Sequence, residues 1–363
     1  MDIPWGVFCN TMLNREISMV PEILTEREHL VLEAIIRNYI LSALPTGSGF
    51  IARQKGFDLS SASIRSVMGE LEERGFIAQP HTSAGRVPTD KGYRYYVDRL
   101  MRSVDLPLRV KQQIRDTFAP SGRVADLHLL LEAATHTLSR VTQQLCVIIA
   151  PRLNSAVFRG LYVFPLGDRR YLMNVTIDAG LFKTAVFELN TEVAADDLAM
   201  ACHVLVDKFA GRSLLDLCES DPINFSDVPQ EYCEAAGMLL PPVRSIVDSD
   251  DRMTVHTEGE TNVLLQPEFF NKDHAEDVVQ LCEETNLLVD LVKTPEERKD
   301  NVVITIGREI PKGTFHPFSI IKTGYRVGAM PGSLGVIGPK RMPYPFLISA
   351  VEYMARMLGE VKM

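Results

Sequence analysis

The 363-residue chain is 46% hydrophobic, with a mean hydropathy near zero and a formal charge of -9. That average excludes a polycation coating nucleic acid indiscriminately, since phosphate neutralisation needs clustered Lys and Arg. No apolar run approaches the ~20 residues of a bilayer span, and the cysteines (Cys9, Cys146, Cys202, Cys218, Cys233, Cys282) show neither C-x-x-C pairing nor zinc-site spacing, so a reduced, cytoplasmic protein of two or three domains is expected.

Residues 1–24 lack the compact apolar core and cleavage site of a signal peptide and read as an arm, with Met19 a candidate translation start. Thr25-Glu26-Arg27-Glu28 has the T-x-x-E pattern in which a hydroxyl and a carboxylate satisfy free amides at a helix start. Leu30, Val31, Ala34, Ile35, Tyr39 and Ile40 then recur at helical spacing, to about Leu41. Pro45-Thr46-Gly47 predicts a turn and Ser48–Lys55 a short second helix. Ser60 caps a third helix that Gly75 stops.

On that third helix Ile64, Val67, Met68 and Leu71 form an inward stripe. The opposite face carries Ala62, Ser66 and Gly69, with Ser61, Ser63 and Arg65 at its margins. Side chains this small let a helix lie deep in a major groove, where Ser meets several bases and Arg reads guanine through two hydrogen bonds. They serve equally well as packing filler beneath another domain. The next segment favours the groove. Phe76–Ala78 reads as a strand, His81–Arg86 as a tight loop and Val87 as a return strand, which together make the wing of a winged helix-turn-helix. His81, Thr82 and Arg86 have no evident core use and suit phosphate or groove contact. Between Gln79 and Arg102, five basic residues (Arg86, Lys91, Arg94, Arg99, Arg102) outnumber two acidic ones (Asp90, Asp98). Pro88-Thr89-Asp90 opens a further helix, with Tyr93, Tyr96, Val97 and Leu100 inward.

A second region begins beyond Leu106-Pro107. Arg123–Gln144 is predicted as a long amphipathic helix, followed by strands at Val157–Phe164, Tyr171–Ile177 and Lys183–Glu188 with a hairpin turn at Gly167-Asp168-Arg169. A helix at Ala194–Phe209 comes next. Residues 213–270, with Pro222, Pro229, Pro241, Pro242 and many Asp, read as a separate inserted subdomain. A helix at Asp273–Leu291, strands at Val302–Ile306, Ser319–Thr323 and Leu334–Ile337, and a closing helix at Phe346–Leu358 resume the α+β pattern.

Catalytic motifs are missing: there is no G-x-S-x-G, H-E-x-x-H or Walker sequence, so neither an enzyme nor a cofactor is expected. His128, Glu132 and His136 share a helix face at metal-ligand spacing, but such spacing is common on solvated amphipathic faces, which is the reading preferred. Gly332–Gly338 runs strand to turn, the reverse of a phosphate cradle.

The string QPHTSAGRVPTDKGYRYYVDRL, together with DLSSASIRSVMGELEERGFI and the distant VVITIG, TGYRVG and GVIGPKRMPY, closely resembles the HrcA family of heat-inducible transcription repressors, from about Leu24 to the C-terminus. The resemblance implies a multidomain α+β protein: a winged helix-turn-helix DNA-binding domain at 25–105, a GAF-like domain in two parts at 106–212 and 271–363, and a dimerising domain inserted at 213–270. It implies a homodimer on the CIRCE inverted repeat, a double-stranded operator upstream of chaperone operons, with repression dependent on the chaperonin GroEL. In that setting Ser61, Ser63, Arg65 and Ser66 are expected at base edges, and Ser48, Lys55, His81, Thr82 and Arg86 on phosphates or the minor groove. The chain departs from the family pattern at Gly49, where Arg is usual, and at Ser66, where Asn is typical; Ser cannot repeat the bidentate amide reading of adenine. Lys340, Pro343 and Pro345 also replace more usual residues. The alternative is a metabolite-sensing regulator with a ligand pocket in the GAF-like domain, but no converging set of polar groups is evident and a scaffold is favoured.

Overall fold

The computed structural model describes residues 23–54, 59–82, 84–118, 127–178, 181–219, 230–249, 254–294 and 301–360. Helix α1 (Glu26–Ser42) begins on the expected capping box, with Thr25 Oγ1 accepting the Glu28 amide at 3.3 Å and Glu28 Oε2 accepting the Thr25 amide at 2.7 Å. Burial pushes the Glu28 carboxyl up, but these bonds and the Arg74 guanidinium, 2.5 Å away, hold it below its ordinary value. Helix α2 (Ser48–Ile51) is shorter than expected. Helix α3 (Ser61–Glu73) starts where Ser60 Oγ accepts the Ser63 amide at 3.1 Å. It closes when left-handed Gly75 (φ +75°) turns the Phe76 amide back to the Leu71 carbonyl at 2.9 Å. Ile64, Val67, Met68 and Leu71 lie inward beside Leu32 and Ile35 of α1.

Strands β1 (Ile77–Ala78) and β2 (Val87–Pro88) pair antiparallel, and the backbones of Thr46 and Arg86 exchange two 2.9 Å bonds that bring the α1–α2 turn into the same ladder. Gly85 is needed here, because a Cβ would overlap the Thr46 backbone. Thr89 caps α4 (Asp90–Tyr95), which widens into a π-helical turn through Leu100 and buries Tyr93 and Tyr96.

Helix α5 (Leu108–Phe118) had no counterpart in the predicted elements; α6 (Leu127–Thr142) did. Strand β3 (Leu145–Ile149) enters an antiparallel five-stranded sheet, and every one of its residues is buried. Cys146 and Ile148 face one core with α6, while Leu145, Val147 and Ile149 face another. A strand covered on both faces reads as a continuous apolar run.

Strands β4 (Phe158–Gly167), β5 (Arg170–Ile177) and β6 (Phe182–Glu188) form a second, three-stranded antiparallel sheet. Asp168 and Arg169 (φ +50° and +59°) make the expected hairpin turn, both left-handed as a two-residue turn of type I′ requires. Helices α7 (Ala195–Phe209), α8 (Leu214–Glu219) and α9 (Gln230–Ser249) follow, and α7 and α9 cover one face of this sheet. Pro241 and Pro242, two of the prolines read as marking a separate inserted subdomain, lie inside α9. Helical proline costs about 3 kcal/mol each, and here the buried stripe of Ala236, Leu239, Leu240 and Val243 offsets it.

Strand β7 (Val255–Glu258) pairs with β3, from Cys146↔Glu258 to Ile149↔Val255. The ladders change sheet at positions other than 213 and 270, the bounds expected of the insertion. The separate sheet starts at Phe158, inside the segment assigned to 106–212, and the chain is back in the five-stranded sheet by Val255. Helices α10 (Glu260–Leu264), α11 (Lys272–Glu283) and α12 (Thr285–Val292) come next, the last two replacing one predicted helix. Strands β8 (Val303–Ile306), β9 (Phe318–Val327) and β10 (Met330–Pro339) complete the order β7-β3-β10-β9-β8. Gly332–Gly338 lies within β10. The closing helix α13 (Tyr344–Gly359) packs on β9 beside α5 and α6.

Candidate nucleic-acid interface

Ala62, Ser63, Arg65 and Ser66 are exposed together on the first half of α3, opposite the stripe that packs under α1. Three carboxylates, Glu70, Glu72 and Glu73, stand on the second half. A polyanion is thus admitted at the N-terminal end, where free amides and the helix dipole favour negative charge. Ser61 is turned partly inward, its hydroxyl 3.1 Å from that of buried Ser48. That bond ties α2 to the start of α3, so both hydroxyls have a partner within the protein. Ser63 shares its hydroxyl with Ser60 at 2.9 Å. Lys55 lies outside the described residues.

The β1–β2 loop stands beside α3. His81 and Thr82 are exposed at its tip. Gln79 braces the loop, its amide nitrogen donating to the Thr82 carbonyl at 2.9 Å and the Ala84 carbonyl at 3.1 Å. Between loop, α2 and α3 runs a groove of about 450 Å³, lined by Thr46, Gly47, Ser48, Gly49, Arg65, Gln79, Thr82 and Arg86 among others. Arg86 reaches it from an ion pair, with Nε and Nη2 at 2.9 and 2.8 Å from Glu72 Oε2. Arg65 is exposed in the same groove. Glu72 and Gln79 escaped the sequence reading, because one resembles any exposed helix carboxylate and the other any loop amide.

The positive stretch from Gln79 to Arg102 is not all available to a ligand. Lys91 Nζ donates to the Arg74 carbonyl at 2.7 Å and lies 4.4 Å over the Phe76 ring. Arg94 is bound to Glu309 and to the Ile304 carbonyl. In the central region, His128 packs against the His256 ring (centroids 4.7 Å apart) and His136 lies 3.4 Å from Glu258. Among the described residues no group of three or more His, Cys, Asp or Glu is placed to hold a metal, and no helix is long and apolar enough to cross a membrane.

The model for the HrcA protein C terminal domain matches residues 128–348. The chain belongs to the HrcA family. Its relatives include the heat-inducible transcription repressor HrcA of Chlorobium chlorochromatii (strain CaD3), 36% identical over 93% of this chain and 97% of that one. That of Prosthecochloris aestuarii (strain DSM 271 / SK 413) is 37% identical over the same shares. The family is one of transcription repressors, not of enzymes. A crystal structure described only as a hypothetical protein shares the fold, with a TM-score of 0.64 and 22% identity over 93% of this chain and 98% of that chain.

Proposed function

We propose that this family member represses chaperone operons by binding a CIRCE-type inverted repeat as a homodimer through a winged helix-turn-helix at residues 25–105. The carrying observation is that α3 turns Ala62, Ser63, Arg65 and Ser66 outward beside a groove walled by the β1–β2 loop. On this reading α3 enters the major groove and the loop is the wing. Ser63, Arg65 and Ser66 meet base edges, while His81, Thr82 and Arg86, with Lys55, meet phosphates or the minor groove. Ser48 and Ser61 act mainly by fixing the approach of α2 to α3.

The five-stranded antiparallel sheet between helical layers supports a GAF-like central domain, with the β4–β6 unit, about 153–249, as the dimerising insertion. Tyr162, Phe164, Leu166, Phe182 and Val186 lie on the outward face of the small sheet, 39 to 60% exposed. These side chains, interleaved with Asn174, Thr176 and Thr184 on the same face, make an exposed apolar patch that suits a second copy of the chain. The central sheet is lined by Leu, Val, Ile and Phe on both sides, which supports a scaffold in preference to a metabolite sensor.

Binding to the inverted repeat and to scrambled duplex at one fixed salt concentration tests the proposal. Equal affinities would overturn it. GroEL dependence, which rests on the family resemblance, predicts loss of operator binding on warming and recovery when chaperonin is added; full heat-stable binding without chaperonin would count against it.

A further inference from the structure

Both outlying units meet the central domain through a carboxylate set into a glycine turn. At the first joint Asp90, which opens α4, accepts the Arg308 amide at 3.0 Å and Lys340 Nζ at 2.6 Å. The neighbouring Gly307 is left-handed (φ +55°), and a Cβ there would overlap the Asp90 carboxylate. At the second joint Asp178, just past β5, accepts the Ala329 amide at 2.7 Å with one oxygen and the Val157 amide at 3.0 Å with the other. Gly328 beside it is again left-handed (φ +60°), and a Cβ would overlap Asp178. A charged acceptor on a fixed amide gives a strong, directional bond.

The two sockets sit at opposite ends of one ribbon. Phe318 and Pro339 pair at the open end of β9–β10, where Ile306↔Ser319 brings in the Gly307 turn, and Val327 and Met330 pair at the closed end, where Gly328 makes the turn. Ten-residue strands at ~3.3 Å per residue set the joints about 30 Å apart. The ribbon is flanked by β3 and β8 and is buried along most of its length, so it is a stiff strut. The first joint is also braced against rotation. Arg94 donates to Glu309 and, at 2.7 Å, to the Ile304 carbonyl. Arg341, paired with Glu268 at 2.6 Å, donates to the Ile40 carbonyl at the end of α1 at 2.9 Å.

We propose that Asp90 and Asp178 are positioning residues. Acting through the β9–β10 strut, they fix the distance and rotation between the small-sheet face and α3, and thereby the operator spacing that the dimer accepts. The inference rests on the dimeric operator reading above. Each base pair added to a spacer moves the second half-site by about 3.4 Å and turns it by about 34°. Stiff joints cannot follow that movement. Loosened joints can, but they give up part of the advantage of binding two half-sites at once.

The test uses the full-length protein and the variants Asp90→Ala, Gly307→Ala and Asp178→Ala, the first two disturbing one joint from opposite sides. Affinity is measured at one salt concentration for a single half-site and for inverted repeats whose spacer is native, or one or two base pairs shorter or longer. Half-site affinity is expected to stay unchanged, affinity for the native repeat to fall about tenfold, and the altered spacers to be bound within a few-fold of the native one. Lys340→Gln, which removes one bond to Asp90 and leaves every backbone position intact, gives the same change in smaller measure and decides the matter if an alanine variant loses half-site binding through misfolding. Spacer discrimination equal to the parent's in all folded variants overturns the proposal. A parent that does not discriminate between spacers instead overturns the dimeric operator reading.

Discussion

Among the described residues the outward faces of α3 and of the β4–β5–β6 sheet are both uncovered, and they have opposite chemistry. The first shows Ala62, Ser63, Arg65 and Ser66, small and polar around a single exposed cation. The second shows Tyr162, Phe164, Leu166, Phe182 and Val186. A face of short hydroxyls stays soluble alone and binds through water-compatible hydrogen bonds, as a released ligand requires. An aromatic and aliphatic face gains most from permanent exclusion of water. On the proposed function, the contrast suits reversible contact at one end of the molecule and standing association at the other.

The sharpest way to break the contrast is to put a charge on the apolar face. Phe164→Asp is expected to cost roughly 3 kcal/mol of association, about a hundredfold, and to give a monomer in sedimentation equilibrium where the proposed function requires the parent to be a dimer. Its affinity for a single half-site should be kept, and an unchanged dimer would remove this face from the interface. At the other end, Arg65→Ala should cost about 1–3 kcal/mol of preference for operator over scrambled duplex. Ser66→Asn restores a bidentate amide and should shift preference toward operator variants with adenine opposite that position; an unaltered ranking would place Ser66 off the bases.

Arg86 gives a smaller and more diagnostic effect, because Glu72 already occupies its guanidinium at 2.8 Å. A phosphate must compete with that carboxylate. Arg86→Ala should weaken operator and random duplex alike and lower the salt slope by about one. Glu72→Gln should do the reverse on random duplex, by freeing the guanidinium. If Glu72→Gln leaves affinity and salt slope as they were, Arg86 is a structural partner of α3 and not a DNA contact.

Helix caps and tight turns were legible because their signals are local. The Thr25–Glu28 box, the Ser60 cap, the Gly75 stop and the Gly167-Asp168-Arg169 turn are each decided by residues within a few positions of one another. The return of Val255–Glu258 to β3 is decided by pairing across more than a hundred residues, which no local signal announces. Helix α5 was missed although Val110, Ile114 and Phe118 recur at helical spacing, because Leu106-Pro107 was read only as a boundary between two regions. The exposed candidates on α3 could be named from periodicity, while Glu72 and the Asp90 joint could not. Asp90 reads as an ordinary helix-opening acid until Lys340, 250 positions away, is seen against it. Lys340 had stood out only as a departure from the family pattern, with no hint of what it touches.

The smallest effect tests the central domain that joins the two faces. His256 on β7 is buried, and among the described residues its Nε2 has no hydrogen-bond partner. It faces His128 and Glu132 of α6. Burial lowers its pKa, the neighbouring His128 lowers it further, and Glu132 opposes both without reversing the direction. The folded chain therefore holds this imidazole neutral at a pH where the unfolded chain would protonate it. Stability is expected to be complete above the unfolded value of about 6.5 and to decline as pH falls from there through the lower folded value. Urea unfolding at pH 7.5 and 5.5 (roughly one unit either side of 6.5) measures the decline. His256→Gln, neutral at both pH values, should show a smaller loss between them than the parent does. Equal losses in the two proteins would mean that the imidazole titrates alike folded and unfolded, and that the contact between α6 and the β7 edge is open to water.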